Sequence, residues 1–188
     1  MKNFPIPVLG FAAVSGTGKT TLLSKLIPLL KSSGLRIGLI KHSHHNFEID
    51  KPGKDSYRLR QAGASPIMLV SSHRRAMITE FDVVRDPFLE EQLQFFDYSE
   101  LDLILVEGFK AEEFPKIELH RPSLKQNLIF PNDPNIIAIA SDEKITMSAD
   151  NTNLSTQQTA QLTLPPFLNL NDPNLIKDFI LNRFLSHQ

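Results

Sequence analysis

Cysteine is absent from the 188 residues of this chain. That excludes disulfides, thiolate zinc sites and cysteine nucleophiles at once. A surplus of either charge is absent too: 20 Lys and Arg stand against 21 Asp and Glu, for a formal net charge of -1, with no block of like charge. Such a balance leaves no electrostatic footprint for nucleic acid or an anionic membrane, so neither is expected as a partner. No apolar run approaches the ~20 residues of a membrane span, and no internal repeat is visible. The opening "MKNFPIPVLGFAAVSG", one lysine followed by a short apolar run, has the outward form of a secretory leader. The run leads straight into a glycine loop, however, so a buried strand explains it better and a cytoplasmic protein is expected. What is present, 41% hydrophobic and 22% charged residues, suits one globular domain over 1–188 with enough apolar material for a core.

Apolar runs of strand length alternate with amphipathic stretches of helix length, which argues for an α/β architecture. "PVLGFAAV" (7–14) reads as a buried strand and 15–18 as a loop. "KTTLLSKLIPLLKSSG" reads as a helix with Leu22, Leu23, Leu26, Leu29 and Leu30 on one stripe, stopping near Gly34 and kinked or weakened at Pro28. "LRIGLIKH" (35–42) supplies a second strand, and strand, helix, strand at this spacing predicts a parallel crossover. A short helix "DSYRLRQAG" follows, then a β-hairpin from "PIMLVSS" and "RAMITEF", then a capped helix "DPFLEEQLQFFD" with Pro87 in its first turn. "LDLILVEGF", "KIELHR" and "NIIAIASD" are further strands, and "NDPNLIKDFILNRFL" is a closing helix begun by Asn171 or Asp172 with Pro173. The polar stretch 141–162 lacks apolar period and reads as a mobile loop.

The segment "AAVSGTGKTTLL" (12–23) fits G-x-x-x-x-G-K-[ST], except that Ala13 takes the place of the first glycine. Alanine serves there if the strand has not yet turned, since only a left-handed backbone demands glycine. Lying between a strand and a helix, the loop converges backbone N–H groups and a helix dipole on an anion. Ser15, Gly16, Thr17, Gly18, Lys19, Thr20 and Thr21 are therefore the expected nucleotide-binding residues. Lys19 would reach the β- and γ-phosphates, the Thr20 hydroxyl would bind Mg²⁺, and Thr21 would touch the α-phosphate. The fold class that follows is a P-loop NTPase: a doubly wound, mostly parallel sheet flanked by helices, with the β-hairpin as an extension.

Glu107, closing the most apolar strand, is where such proteins place the carboxylate that holds Mg²⁺ or polarises the attacking water. In doubly wound sheets the loops after the strands line the ligand crevice, so 41–56 should face the nucleotide. There Asp50 and Asp55 could reach the metal or its waters, and Lys54 a phosphate, with helix capping as the other reading of Asp55. His42, His44 and His45 match no zinc spacing, and polar loop contacts are the plainer reading. Asp142, ending the "NIIAIASD" strand, is a candidate reader of guanine, because a carboxylate accepts from N1–H and the N2 amine together. It lacks the Asn-Lys that normally precedes such an aspartate, and an acid opening the polar stretch is the alternative.

"SGTGKTTLL", "GLIKHSHH", "DKPGKDSYRLRQAGA" and "LDLILVEGFK" together resemble the molybdopterin-guanine dinucleotide biosynthesis protein B family, over roughly residues 7 to 142. The resemblance implies a GTP-binding adaptor of molybdenum cofactor maturation: a cytoplasmic homodimer that binds GTP with Mg²⁺ and hydrolyses it slowly. It also implies a molybdenum cofactor guanylyltransferase as partner and molybdopterin as a further ligand. The family's "PGKD" segment maps onto Pro52, Gly53, Lys54 and Asp55, which adds these to the nucleotide-binding set, with Glu107 and Asp55 as catalytic residues and Thr20, Asp50 and Glu107 at the metal. The chain departs from the family in the longer stretch 141–162. The hairpin, apolar at Ile67, Leu69, Met77 and Ile78, has an edge that should be paired across a dimer or packed on its own domain. Two other functions stay open. A P-loop small-molecule kinase would add an arginine-rich lid, for which the only adjacent arginines are Arg74 and Arg75. A nucleotide-binding module without turnover is the other.

Overall fold

All five residues of β1 (Val8–Ala12) are buried, as a strand covered on both faces must be. A computed structural model describes residues 4–43, 47–145 and 163–187, together with 152, 155 and 157. Where the sequence suggests one domain, these residues divide into two compact units, Met1–His42 with Phe88–Gln188, and Ser43–Pro87.

The first unit is a six-stranded sheet. Its strands are β1, β2 (Ile37–Lys41), β5 (Leu103–Glu107), β6 (Lys116–His120), β7 (Ile136–Ser141) and β8 (Phe167–Asn169), in the order β2-β5-β1-β6-β7-β8. Every pairing between them is parallel. Side chains alternate between the faces. Leu9, Phe11, Leu103, Leu105, Ile117 and Leu119 pack with Leu22, Leu23, Leu26 and Leu30 of α1 (Lys19–Ser32) and with Ile176 and Phe179 of α4 (Pro173–Phe179). Val8, Ile104 and Val106 pack on the other side with Leu89 and Leu93 of α3 (Leu89–Leu93) and with Phe109 and Phe114. Helices thus cover both faces, the doubly wound arrangement expected.

α1 runs unbroken through Pro28, which is exposed. Two local expectations need correction. The helix after Pro87 is only five residues long and has no side-chain cap from its flanking residue. Instead the Leu89 N–H donates to the carboxylate of distant Glu112 at 2.7 Å. β8 has no counterpart in the sequence reading, because three residues beside Pro165 and Pro166 carry too little pattern to mark a strand. Most of 141–162, where a mobile loop was expected, lies outside the described residues.

β6 alternates charged with apolar residues, yet all five are buried. Lys116 Nζ pairs with Asp133 at 2.8 Å. Glu118 accepts the backbone N–H groups of Ile129 and Phe130, 2.8 Å on each oxygen, and so pins the segment that follows β6 onto the sheet.

The second unit holds α2 (Asp55–Gln61) and an antiparallel hairpin, β3 (Ile67–Val70) with β4 (Arg75–Ile78). It has almost no core: Asp50 is the only buried residue among those described in it. Arg60 organises it instead, bonded to Glu48 at 2.8 Å and to Glu80, with Asp50 at 4.0 Å. Met68, Val70, Met77, Phe81, Val83 and Val84 are exposed.

Burial, opposed by the two N–H bonds, pushes the Glu118 carboxyl up to about 7. The native state therefore holds this proton at pH values where the unfolded chain, titrating near 4.5, has released it. This contribution to stability is full below about pH 4.5 and is lost as pH rises through about 7. Urea melts of wild type and Glu118→Leu across pH 5 to 8 check this: the wild-type midpoint should fall with pH more steeply than that of the variant, and parallel curves would contradict it.

Candidate nucleotide site

The loop after β1 turns where glycine permits it: Gly16 and Gly18 have φ of 81° and 101°. Ala13 is buried and does not belong to the left-handed residues, so the first glycine of the pattern is dispensable here. Gly18 begins α1 with no side chain capping the helix. The first-turn amides and the positive end of the dipole are thus directed at the loop mouth. Thr17 is buried and its hydroxyl donates to Val14 O at 2.9 Å, which stiffens the turn. Lys19 Nζ crosses the loop to donate to the carbonyls of Ala13 and Val14, both at 3.2 Å. Its pKa is lowered, first by burial and then by Lys110, with Lys41 acting the same way and Glu107 opposing. Ser15, Thr20 and Thr21 are exposed at the mouth.

Parallel pairing brings the strand ends into line. Glu107 stands opposite Phe11 on one side and Lys41 on the other. Its carboxylate meets Lys41 Nζ at 3.2 Å on both oxygens and is itself only 12% exposed. The turn beyond it is tight: Gly108 and Phe109 both have positive φ, 108° and 51°. The His42 N–H donates to Glu107 O at 2.8 Å, and the His42 ring stacks on Phe109 with centroids 4.7 Å apart. With Lys41 on this carboxylate and Lys110 near enough to Lys19 to lower its pKa, the mouth is cationic and suited to a polyphosphate.

Asp142 follows β7 and forms an ion pair with Arg121, which also donates to Thr17 O of the loop at 2.9 Å. The other expected residues belong to the second unit. Asp50 accepts from Ser56 Oγ at 2.8 Å, and Pro52 and Gly53 form a turn. Lys54 is the residue that flanks α2, and Asp55 is the first residue of that helix, exposed and 4.0 Å from Arg58. Capping by the Asp55 side chain, the alternative reading, is not observed. His44 and His45 lie outside the described residues, and no group of three or more His, Asp or Glu suited to a metal occurs among the described ones.

The sequence reading set Lys41 at the site without a role and missed Lys110 and Arg121. Arg74 and Arg75, the adjacent arginines weighed for a lid, lie in the hairpin of the second unit, whereas Arg121 stands at the loop itself. The rule that ligands gather at the carboxyl ends of strands would have found it, one residue beyond β6.

Residues 8–142 match the MobB family, Molybdopterin guanine dinucleotide synthesis protein B. The chain belongs to the MobB family. It is 52% identical over 143 residues, 73% of this chain and 79% of the relative, to the molybdopterin-guanine dinucleotide biosynthesis adapter protein of Escherichia coli (strain K12). The corresponding protein of Haemophilus influenzae is 46% identical over 141 residues, 74% of this chain and 77% of its own. The fold is shared with the crystal structure of a MobB homologue from Bacillus stearothermophilus, at TM-score 0.65 and 21% identity over 96% of this chain and 99% of that one. Bacillus subtilis MobB is equally similar, at TM-score 0.65 and 22% identity over 94% and 97%. Among the described residues no helix is long and apolar enough to cross a membrane.

The Glu107 turn is the most sterically demanding point of the site. A Cβ on Gly108 would lie 2.6 Å from His42 Cβ, on a backbone that L side chains rarely adopt. Gly108→Ala should lower unfolding stability by about 1–3 kcal/mol. Denaturant melts read it, and an unchanged midpoint would contradict this account of the turn.

Proposed function

We propose that the protein is a GTP-binding adapter of molybdopterin guanine dinucleotide biosynthesis, with slow GTPase activity. The observation that carries the reading is the uncapped start of α1 behind the left-handed Gly16 and Gly18, with Lys19 lying across the loop. Phosphate oxygens would replace the Ala13 and Val14 carbonyls as partners of Lys19, and the loop amides from Ser15 to Thr21 would supply the cradle.

Oxygen donors suit Mg²⁺, and two stand in the first unit: the exposed Thr20 hydroxyl and the Glu107 carboxylate, set close enough to the loop to act on the Lys19 proton. The ion, when bound, would neutralise charge on the transferred phosphoryl group. Glu107 would leave Lys41 to orient water at the metal, and Lys41 would then be available to a phosphate. Of residues 50–55, Asp50 is proposed for the metal's waters and Asp55 for catalysis, as expected from their place in the chain after β2. Asp142 would accept from guanine. A molybdenum cofactor guanylyltransferase is the partner proposed, with molybdopterin as a further ligand, in the cytoplasm.

Lys19→Ala should weaken GTP binding by about 2 kcal/mol or more, since it removes a charge-assisted contact. Titration calorimetry with unchanged affinity would sink the assignment. Glu107→Gln should bind GTP within a few fold of wild type but release phosphate more slowly, because the carboxylate acts on metal and water. Single-turnover hydrolysis at the wild-type rate would refute that role. Phosphate release that requires a small-molecule acceptor would mark a kinase instead, and the absence of any release a binding module.

A homodimer through the hairpin completes the reading. The second unit exposes Met68, Val70 and Met77 with no apolar core of its own, and a bare two-stranded ribbon is marginal in water. Met77→Asp should convert the protein to a monomer in sedimentation. A mass unchanged by the substitution would count against the interface.

A further inference from the structure

One side chain touches both halves of the candidate site. From the residue after β6, Arg121 Nε donates to Thr17 O at 2.9 Å, while Nη1 forms an ion pair with Asp142 Oδ2. Nη2 lies along the same loop, 3.8 Å from where a Cβ on Gly18 would stand. A guanidinium is a planar fork with donors in fixed directions, so bonds from one fork to two elements set the distance between them. We propose that Arg121 is a positioning residue that ties the Asp142 carboxylate to the phosphate loop, so that phosphate binding and guanine selection are coupled through one rigid group. The proposal rests on the reading of Asp142 as the guanine acceptor.

Three observations favour this over a generic surface ion pair. First, the pair is not on open surface: the side chains of Arg121 and Asp142 are 30% and 20% exposed. Second, the carbonyl that Arg121 holds belongs to Thr17, the most enclosed residue of the loop, whose own hydroxyl is fixed on Val14 O. Movement of Asp142 is therefore resisted by the stiffest part of the phosphate site. Third, Asp142 Oδ1 is buried and has no hydrogen-bond partner among the described residues. With Oδ2 engaged by Arg121, Oδ1 is the acceptor left for a base N–H. No Asn-Lys pair precedes Asp142; Ile139, Ala140 and Ser141, which do, are all buried. The support that pair would give from the same strand comes here from the neighbouring strand.

The test measures affinities for GTP, xanthosine triphosphate and inorganic tripolyphosphate in wild type, Arg121→Gln, Arg121→Lys, Asp142→Asn and the Gln/Asn double variant. Arg121→Gln should lose ~10-fold or more in GTP affinity and less than ~3-fold for tripolyphosphate, and Asp142→Asn added to it should cost little more, a coupling of the size usual between linked sites. Arg121→Lys keeps the charge but not the fork, so it should fail to restore the GTP preference; it also serves if the Gln variant does not fold. Equal losses for GTP and tripolyphosphate would overturn the proposal in favour of direct phosphate contact. Losses that simply multiply in the double variant, or full rescue by Lys, would overturn it as well. If Asp142→Asn leaves the preference for GTP over the xanthine nucleotide unchanged, the guanine reading fails by itself. Hydrogen exchange of the free protein then decides the bridge: amides 15–21 should exchange faster in both Arg121→Gln and Asp142→Asn, and acceleration in neither, or in the arginine variant alone, would overturn it.

Discussion

The parallel pairing of β1 with β5 is the constraint on which the rest of this molecule depends. It sets Phe11 beside Glu107, and therefore fixes how far the start of α1 stands from the carboxylate that closes β5. β1 can take that central place because every side chain along it finds apolar partners: Leu9 and Phe11 in α1 and α4, Val8 near α3 and Phe114, and Ala12 among Leu128, Ile136 and Ile139. A parallel strand cannot be half wet, since its crossovers lay helices on both faces. The loop is then the first point at which the chain can leave the sheet. Its glycines turn it towards a helix whose amide ends are satisfied by no side chain of that helix.

Several buried or strand-end charges of the first unit, by contrast, have fixed partners. Lys116 is buried against Asp133, Glu118 is held by two backbone N–H groups, and Arg36 grips Asp102 with two nitrogens at the far end of β5. The Arg36 grip, reinforced by the backbone, depresses the Asp102 carboxyl to about 2. At the ligand end the balance is reversed: Lys19, Lys41 and Lys110 outnumber Glu107. One strand thus carries a neutralised end and a cationic end.

What the sequence made legible follows from which interactions are local. The glycine-lysine loop, the leucine stripe of α1 and the Asp172-Pro173 start of α4 are written within a few residues, and each stands where expected. Glu107 was readable because an apolar strand ending in an acid is itself a local pattern. The partners of that acid were not. Lys41 reaches it from a strand 66 positions away and Arg121 reaches Thr17 across 104, separations fixed by strand order alone. The buried charges of β6 were hidden for a related reason: "KIELH" has the alternation of a strand with one wet face. Only the folded segment after it shows that the polar face is covered. α3 begins on Glu112, a cap supplied from across the turn after β5, and such a cap leaves no mark beside the helix it serves.

The Arg60 cluster has a consequence for how the protein comes apart. A unit whose one buried residue, among those described, is a carboxylate and whose hub is a guanidinium shared among Glu48, Glu80 and Asp50 draws little on apolar burial. Its cohesion is therefore screened by salt and weakened by acid. The six-stranded unit, built on packed leucine and isoleucine, responds to neither in the same way. The chain thus contains two folding units with different solvents as adversaries. A unit held together in this way should be the first part of the chain to open.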